Sequence, residues 1–386
     1  MSERLTKGVA TVAQLAEFDA ILDARSPGEF AEDHLPGATS CPVLSDEQRV
    51  RVGTLYKQVS AFEAKKVGAA LVARNIADHI EQRFLDKPKS WRPLVYCWRG
   101  GKRSGAFVHI LREIGWDAHR LDGGYKAWRR HVVAELAELP QRFAFKVISG
   151  PTGSAKSRIL EALARQGAQV LHLEELAAHK GSVLGRLPGK ELAGPPQEFL
   201  GPLGGRTERS EVFGGGTVIP QPAQKMFETQ LLTTLAEFDA SHPVFVEAES
   251  RRIGVLQLPD AVIAAIRGAP CLRVDATRPA RADFLLRDYD YFITRPTWLI
   301  EQLGHLRGLQ SNETLARWTA LIEAGEFRTL VEELLEQHYD PLYQRSQERN
   351  YRDFGDAAPL VAADLGPAAI EKLAAQILAG QTITTD

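Results

Sequence analysis

The stretch "FKVISGPTGSAKSRILEALARQG" (Phe145–Gly167) constrains the fold more than any other part of the chain. An apolar run ends in a glycine-rich loop. The loop runs into a helix with Ile159, Leu160, Leu163 and Ala164 on one face and Gly167 as its stop. Strand, glycine loop and helix in that order begin a parallel crossover, so an α/β sheet flanked by helices is expected around them. Within the stretch, "GPTGSAKS" fits the phosphate-loop spacing G-x-x-x-x-G-K-[ST] at Gly150, Lys156 and Ser157. Ala155 replaces the second glycine, a change suited to a helical backbone there, and Gly153 is additional. Backbone N–H groups from Thr152 through Gly153, Ser154, Ala155 and Lys156 to Ser157 would wrap a phosphate. Lys156 would add a point charge, and Ser157 would coordinate Mg²⁺ if one is used. "PVFVEAES" ends another apolar strand in Glu247 and Glu249, read either as acid or metal support for this loop or as an exposed acid pair.

The same order of elements occurs upstream. In "VYCWRGGKRSG" (Val95–Gly105), Cys97 closes an apolar run, and Arg99, Gly100, Gly101, Lys102, Arg103 and Ser104 follow it. The helix "RSGAFVHILREIG" then carries Phe107, Val108, Leu111 and Ile114 at helical spacing and stops at Gly115. A free thiol titrates near 8.5, and cations with a helix N-terminus can lower that to about 3.5–7.5. Glycines let backbone N–H groups turn inward as a nest for an anion. Such a loop would hold a thiolate, an oxyanion, or both. The plainer alternative, a small buried hydrophobe, suits Cys41 and Cys271 better, since packing alone needs neither glycines nor cations after the thiol.

A length of 386 residues suggests two domains. Further strands are expected at "AILDAR", "PLVYC", "AHRLDGG", "QVLHL" and "CLRVDA", and a helix at "YKAWRRHVVAELAEL". Pro140 in "AELPQRFAF" breaks the pattern, which gives a first α/β domain over 1–138, a linker over 139–144 and a second α/β domain over 145–386. A segment dense in Gly and Pro, with His179, Lys180, Gly181 and Ser182 at its start as possible lid residues, is expected to form a lid or an irregular loop. From about Trp298 the pattern turns helical. The three scattered cysteines match neither a zinc site nor a disulfide framework, so a reducing, intracellular compartment is expected. The N-terminus has no signal-peptide pattern, and no apolar run approaches the ~18–20 residues of a membrane span. A net charge of −2 argues against a bulk polyanion coat. Locally, Lys87, Lys89, Arg92, Arg99, Lys102, Arg103, Arg112, Arg120, Lys126, Arg129 and Arg130 face only Glu113, Asp117 and Asp122, a balance that suits phosphate as well as a solvated face.

"DARSPGEFAEDHLPGA" (Asp23–Ala38), the Cys97 loop and "LDGGYKAWRR" (Leu121–Arg130) occur in the order of a rhodanese domain, which the first part of the chain resembles. The spacing from Cys97 to Arg103 is wider than in simple rhodaneses and is similar to that of cysteine-dependent phosphatases. The second part looks like a P-loop NTPase domain with a helical C-terminal region. Together with "HKGSVLG" (His179–Gly185), "VFVEAESRRIG" (Val244–Gly254) and "YDPLY" (Tyr339–Tyr343), the whole resembles the bacterial tRNA 2-selenouridine synthase family. That resemblance implies a cytoplasmic transferase acting on 2-thiouridine at the wobble position of tRNA, with no tightly bound cofactor and no membrane. Geranyl diphosphate would alkylate the sulfur at the loop of Lys156. Selenophosphate would supply selenium at the loop of Cys97, the catalytic residue, with Arg99 to Ser104 holding the anion. Trp98, Trp128, Arg129 and Arg130 are candidates for RNA contact, Trp128 being the one placed for a core role. Two rival readings are a tRNA sulfurtransferase or phosphatase with a nucleotide-binding regulatory domain, and an RNA- or phosphate-binding module with an inactive first domain.

Overall fold

Each apolar run that precedes a glycine-rich loop becomes the middle strand of a five-stranded parallel sheet. The computed structural model describes residues 8–181, 184–186, 212–213, 216–217, 219–343, 345 and 359–380. The first sheet contains β1 (Val9–Ala10), β2 (Ala20–Asp23), β3 (Ala38–Ser40), β4 (Pro93–Tyr96) and β5 (His119–Leu121), in the order β1-β5-β4-β2-β3. Every residue of β4 is buried, as expected of a parallel strand covered on both faces. Covering it are α1 (Pro27–Glu32), α2 (Asp46–Gln58), α3 (Ala61–Arg83), α4 (Lys102–Ile114) and α5 (Tyr125–Glu138). Phe107, Val108 and Leu111 of α4 pack with Leu22, Val95, Ile76 and Trp116. Ile114, expected on that face, is half exposed, because Gly115 turns the chain at φ +108 and ends the helix there.

A buried ion pair sits where β2 ends. Arg25 grips the Asp23 carboxylate through Nε and Nη2, donates to the carbonyl of Asp33, and lies over the Tyr125 ring at 4.0 Å. Tyr96 donates to Asp23 at 2.6 Å, and Tyr125 to Asp33 at 2.8 Å. Burial opposes the Arg25 charge, yet its bonds to Asp23 hold its pKa above the ordinary value. The "DAR" of the rhodanese-like segment is thus a satisfied internal brace linking β2, β4 and the start of α5.

The second sheet runs β14-β13-β6-β10-β7, again all parallel. Its strands are β6 (Phe145–Ser149), β7 (Gln169–Leu171), β10 (Val244–Glu247), β13 (Cys271–Ala276) and β14 (Pro359–Ala362). Four short intervening strands pair outside the sheet: β8 (Val212–Phe213) with β9 (Gly216–Thr217), and β11 (Arg252–Ile253) with β12 (Leu256–Gln257). α6 (Lys156–Arg165) follows β6 and buries Ile159, Leu160, Ala162 and Leu163. Ala164, expected inside, is exposed, and Ala162 takes its place. An alanine has too little apolar surface for its position in the pattern to decide the face. After β7 come α7 (Leu173–Leu176) and α8 (Gln224–Ala236). A helical cluster built on Trp298, Leu303, Trp318, Ile322 and Leu330 forms the C-terminal region that the pattern indicated.

The chain divides into two compact units, meeting in sequence between Glu135 and Leu136. The residues expected to be a linker form a 3₁₀ turn, Leu139–Arg142, that continues α5. Ala223–Thr233, the start of α8, groups with the first unit, where Lys225 pairs with Glu32 at 2.7 Å and Glu228 with Arg129. In both sheets the middle strand has neighbours reached by connections to opposite sides, so each glycine loop leaves its sheet at a topological switch point, where ligands of open α/β sheets bind. Among the described residues no helix is long and apolar enough to cross a membrane.

Candidate functional site

In the first unit, Cys97 follows β4 and is 3% exposed. The Gly101 N–H donates to its sulfur at 3.3 Å, and the Ser104 hydroxyl, which donates to the Gly101 carbonyl at 3.3 Å, shares a 3.1 Å contact with it. The loop is held from behind by the start of α5, where Tyr125 N–H donates to the Cys97 carbonyl at 2.9 Å and Lys126 N–H to the Trp98 carbonyl at 3.1 Å. That docking requires glycine at Gly100, with φ +63. A Cβ there would sit 2.5 Å from the Leu121 carbonyl oxygen.

The cations are arranged differently from a ring around the thiol. Arg103 turns to Glu29 of α1, at 2.8 Å. Burial opposes the Glu29 charge, but Arg103 holds its carboxyl below the usual range. Arg99 and Lys102 are exposed, with no ion-pair partner among the described residues. What the sulfur meets is therefore the first turn of α4: an amide, a hydroxyl and the positive end of a thirteen-residue helix. Sequence reasoning missed Glu29, whose only local signal is its place in the capping box of Ser26. Cys41 and Cys271 are buried, and burial pushes the Cys41 thiol up to about 11. Trp128 is buried as well, in the core role expected of it.

In the second unit, the loop after β6 takes a tight path. Gly150 has φ +158 and Gly153 φ +83, where a Cβ would press on Leu285 at 2.9 Å. Ala155 has φ 60 and ψ 26, so its backbone is left-handed and not helical as expected. For a non-glycine residue this costs about 1–2 kcal/mol. Ala155 keeps the glycine's conformation while its side chain joins the core beside Ile159. Ser154 N–H closes a turn onto Pro151 at 3.1 Å, so that amide serves the loop itself. The N–H groups at the start of α6, at Lys156 and Ser157, have no intrahelical acceptor, the arrangement by which helix N-termini bind anions. Lys156 Nζ donates to the Gly150 carbonyl at 2.9 Å.

Thr152 offers its carbonyl to Arg281 at 3.1 Å. Arg281 is buried and bonded through both terminal nitrogens to Asp340, each at 2.7 Å. Tyr343 shares a 3.3 Å hydrogen bond with Ser149, and burial pushes its phenol up to about 12. Thus "YDPLY" braces the phosphate loop from below, a role no local pattern announces.

Ser157 donates to Glu174 at 2.8 Å, and Glu174 N–H donates to Glu247 at 2.9 Å. Glu247 and Glu249 are buried, not an exposed pair. Burial, with like-charge repulsion from Glu174, pushes the Glu249 carboxyl up to about 8, while Lys156 pulls the other way. The same causes raise Glu247. Glu174 escaped the sequence reading, although an acid in the first turn of a helix three residues after a short strand was a usable signal. Gly181 lies against these acids: a Cβ there would be 2.6 Å from both Glu174 and Glu249 oxygens. His179 is buried, with Nδ1 unpartnered among the described residues. Lys180 pairs with Asp288 at 2.7 Å and lies 4.0 Å over the Tyr289 ring. Ser182 and most of the expected lid fall outside the described residues.

The raised Glu249 pKa carries a stability consequence. Between its unfolded value near 4.3 and about 8, the folded state binds the extra proton, so stability falls as pH rises through that window. Glu249→Gln is expected to raise Tm at pH 8 by about 2–4 °C and to leave it unchanged near pH 4, read by thermal scans across pH.

Comparison with known proteins agrees with this architecture. A family model described as "tRNA 2-selenouridine synthase AAA domain" matches residues 143–196 and 207–316, and a rhodanese-like domain model matches residues 9–131. A tRNA 2-selenouridine synthase of Alcanivorax borkumensis is 30% identical over 84% of this chain and 88% of its own length. That of Bdellovibrio bacteriovorus is 28% identical over 86% and 89%. That of Nitrosomonas europaea is 33% identical over 70% of this chain and 63% of its own length. With a cysteine loop and a phosphate loop each set on the middle strand of its own parallel sheet, the chain belongs to the tRNA 2-selenouridine synthase family.

Proposed function

We propose that this protein alkylates 2-thiouridine in tRNA with geranyl diphosphate at the Lys156 loop, then exchanges the alkylated sulfur for selenium from selenophosphate at the Cys97 loop, in the cytoplasm. The observation that carries the first half is an apolar cavity beside the phosphate loop. Thr152 of the loop lines it with Leu285, Tyr289, Leu299, Val331 and Leu335. A nucleotide base would ask such a wall for hydrogen-bond partners. An isoprenoid chain asks only for burial, worth about 0.8 kcal/mol per CH₂. A diphosphate on the loop amides with its alkyl tail in this cavity matches the chemistry of both surfaces.

In the first step the thiocarbonyl sulfur attacks the allylic carbon, the carbon–oxygen bond breaks, and diphosphate leaves. Lys156 and the amides of α6 neutralise charge as it develops on that leaving group. Oxygen donors suited to Mg²⁺ lie next to them in Ser157 and Glu174, with Glu247 and Glu249 behind. Among the described residues no group of three His, Cys, Asp or Glu side chains is arranged to hold a metal, so an ion there would take further ligands from phosphate and water. In the second step selenium attacks the uridine carbon, the geranylthiolate departs and takes a proton from solvent, and water cleaves the phosphorus–selenium bond to give phosphate. Cys97 and the amides of the α4 turn would position the donor.

The test is mass spectrometry of wobble nucleosides after incubation with 2-thiouridine tRNA, geranyl diphosphate and selenophosphate, each omitted in turn. In this assay Val331→Trp, which fills the cavity, is expected to raise KM for geranyl diphosphate about tenfold, the loss of one to two kcal/mol of apolar burial. Selenation of RNA supplied already geranylated should be unchanged. Product formed equally well from ATP and not from geranyl diphosphate would end this reading.

A further inference from the structure

A second concavity lies in the first unit, directly beside the Cys97 loop. Trp98 and Tyr125 form one wall, and α5 forms the other with Lys126, Arg130 and Val133. Positions 126, 130 and 133 are four and three residues apart, so they share one face of the helix. Lys225, from the start of α8, closes the rim.

The state of these side chains is informative. Trp98 is half-buried, its ring 5.3 Å from that of Tyr125. Tyr125 is fixed below by Asp33 and Arg25, so Trp98 rests on a rigid base. Lys126 and Arg130 are exposed and have no ion-pair partner among the described residues, while their neighbours Arg129 and Lys225 are committed to Glu228 and Glu32. Val133 is 56% exposed. An indole with an open face, an apolar floor and two uncommitted cations on one helix side do not resemble a folding solution, which would bury the apolar part and pair the charges. They match a single-stranded nucleic acid, whose bases present apolar π-faces and whose phosphates follow at regular intervals.

We infer that this groove is the seat of the unpaired anticodon nucleotides: one base stacks on Trp98, and the flanking phosphates pair with Lys126 and Arg130. The inference rests on the tRNA-substrate reading. It places the RNA within one residue of Cys97, since Trp98 follows it in the chain and Lys126 N–H donates to the Trp98 carbonyl. The base-reading element is therefore tied by backbone to the reactive loop, and a stacked base would have a fixed position relative to the sulfur.

The experiment is fluorescence anisotropy of a labelled anticodon stem-loop RNA with the full-length protein, across salt concentrations, with a blunt duplex of the same stem as second probe. Trp98→Ala is expected to weaken stem-loop binding about 10- to 100-fold, and Trp98→Phe, which keeps a stacking face, by less than about threefold. Lys126→Ala with Arg130→Ala should weaken it about tenfold and lower the slope of log affinity against log salt by about 1.4, two phosphate contacts on a single strand. Duplex binding should not respond to Trp98→Ala. Trp98→Ala within twofold of wild type, an equal loss on duplex, or a salt slope unmoved by the double variant would each overturn the groove while leaving the RNA reading intact. A wild-type protein that binds neither probe would overturn both. Thermal unfolding followed by far-UV circular dichroism, unchanged in all variants, certifies that they are folded.

Discussion

Lys156→Ala is expected to lower kcat for geranyl transfer about 10²–10³-fold, with a smaller rise in KM, and to leave selenation of pre-geranylated tRNA within twofold of wild type. The argument is electrostatic. In the proposed reaction, departure of diphosphate would concentrate negative charge on oxygens held at the start of α6, where a preorganised cation does most. In the structure Lys156 is already gathered over the loop, with Nζ on the Gly150 carbonyl at 2.9 Å and the Tyr343 ring 6.0 Å away. Little reorganisation is needed to move it onto a phosphate. Its charge also tempers the buried acids, acting against the rise of the Glu247 and Glu249 pKa values. Removing it therefore withdraws a cation from the leaving group and leaves the carboxyl cluster more fully protonated. Lys156→Arg should recover only part of the rate, because a planar fork cannot occupy a point-charge site inside a closed loop. Quench-flow assays of diphosphate release read both effects. Geranylation within tenfold of wild type in Lys156→Ala would sink the assignment.

Cys97→Ala is expected to abolish selenium incorporation, by about 10³-fold or more, and to leave geranylation within twofold, so that geranylated tRNA accumulates as the end product. The two loops stand on separate sheets in separate units, so the loss of one should not disturb the chemistry of the other. Cys97→Ser separates two roles for the sulfur. The hydroxyl can still accept from Gly101 and share the contact with Ser104, so it preserves the hydrogen bonds of a residue that only orients the donor. It is too poor a nucleophile to take the phosphoryl group of selenophosphate and release hydroselenide, as a thiolate does when an S–P bond forms and the P–Se bond breaks. Activity retained in Cys97→Ser assigns an orienting role, and activity lost in both variants assigns a covalent one. Either way, a Cys97→Ala enzyme that still converts geranylated tRNA into selenouridine tRNA would remove the cysteine from the mechanism.

Both strand–loop–helix units were legible because their signals are local: an apolar run, glycines at fixed spacing and an amphipathic helix lie within about twenty residues. Ile114 and Ala164 show the limit of that method, since each fits the pattern and lies outside the core. The electrostatic surroundings of the sites were not legible, because their partners are remote. Glu29 is 74 residues from Arg103, and Asp340 is 59 from Arg281. The apolar cavity was hidden for another reason. Its walls come from helices whose apolar positions look the same whether they meet another helix or a ligand, and only packing shows where they fail to meet. Ala155 was misread because substitution of a glycine by alanine says nothing about which backbone region the site occupies.

The place of each loop on the middle strand has a further consequence for how this enzyme fails. Sheets open from their margins inward, and here the marginal strands are short: β1 has two residues, β3 and β7 three each, and β14 four. β4 and β6 stand two strands in from either margin and are expected to be released last. The thiol and the phosphate cradle are thus quarantined from partial unfolding. A molecule with loosened edges would still keep Cys97 caged against stray oxidants, and loss of reactivity should coincide with collapse of a whole sheet.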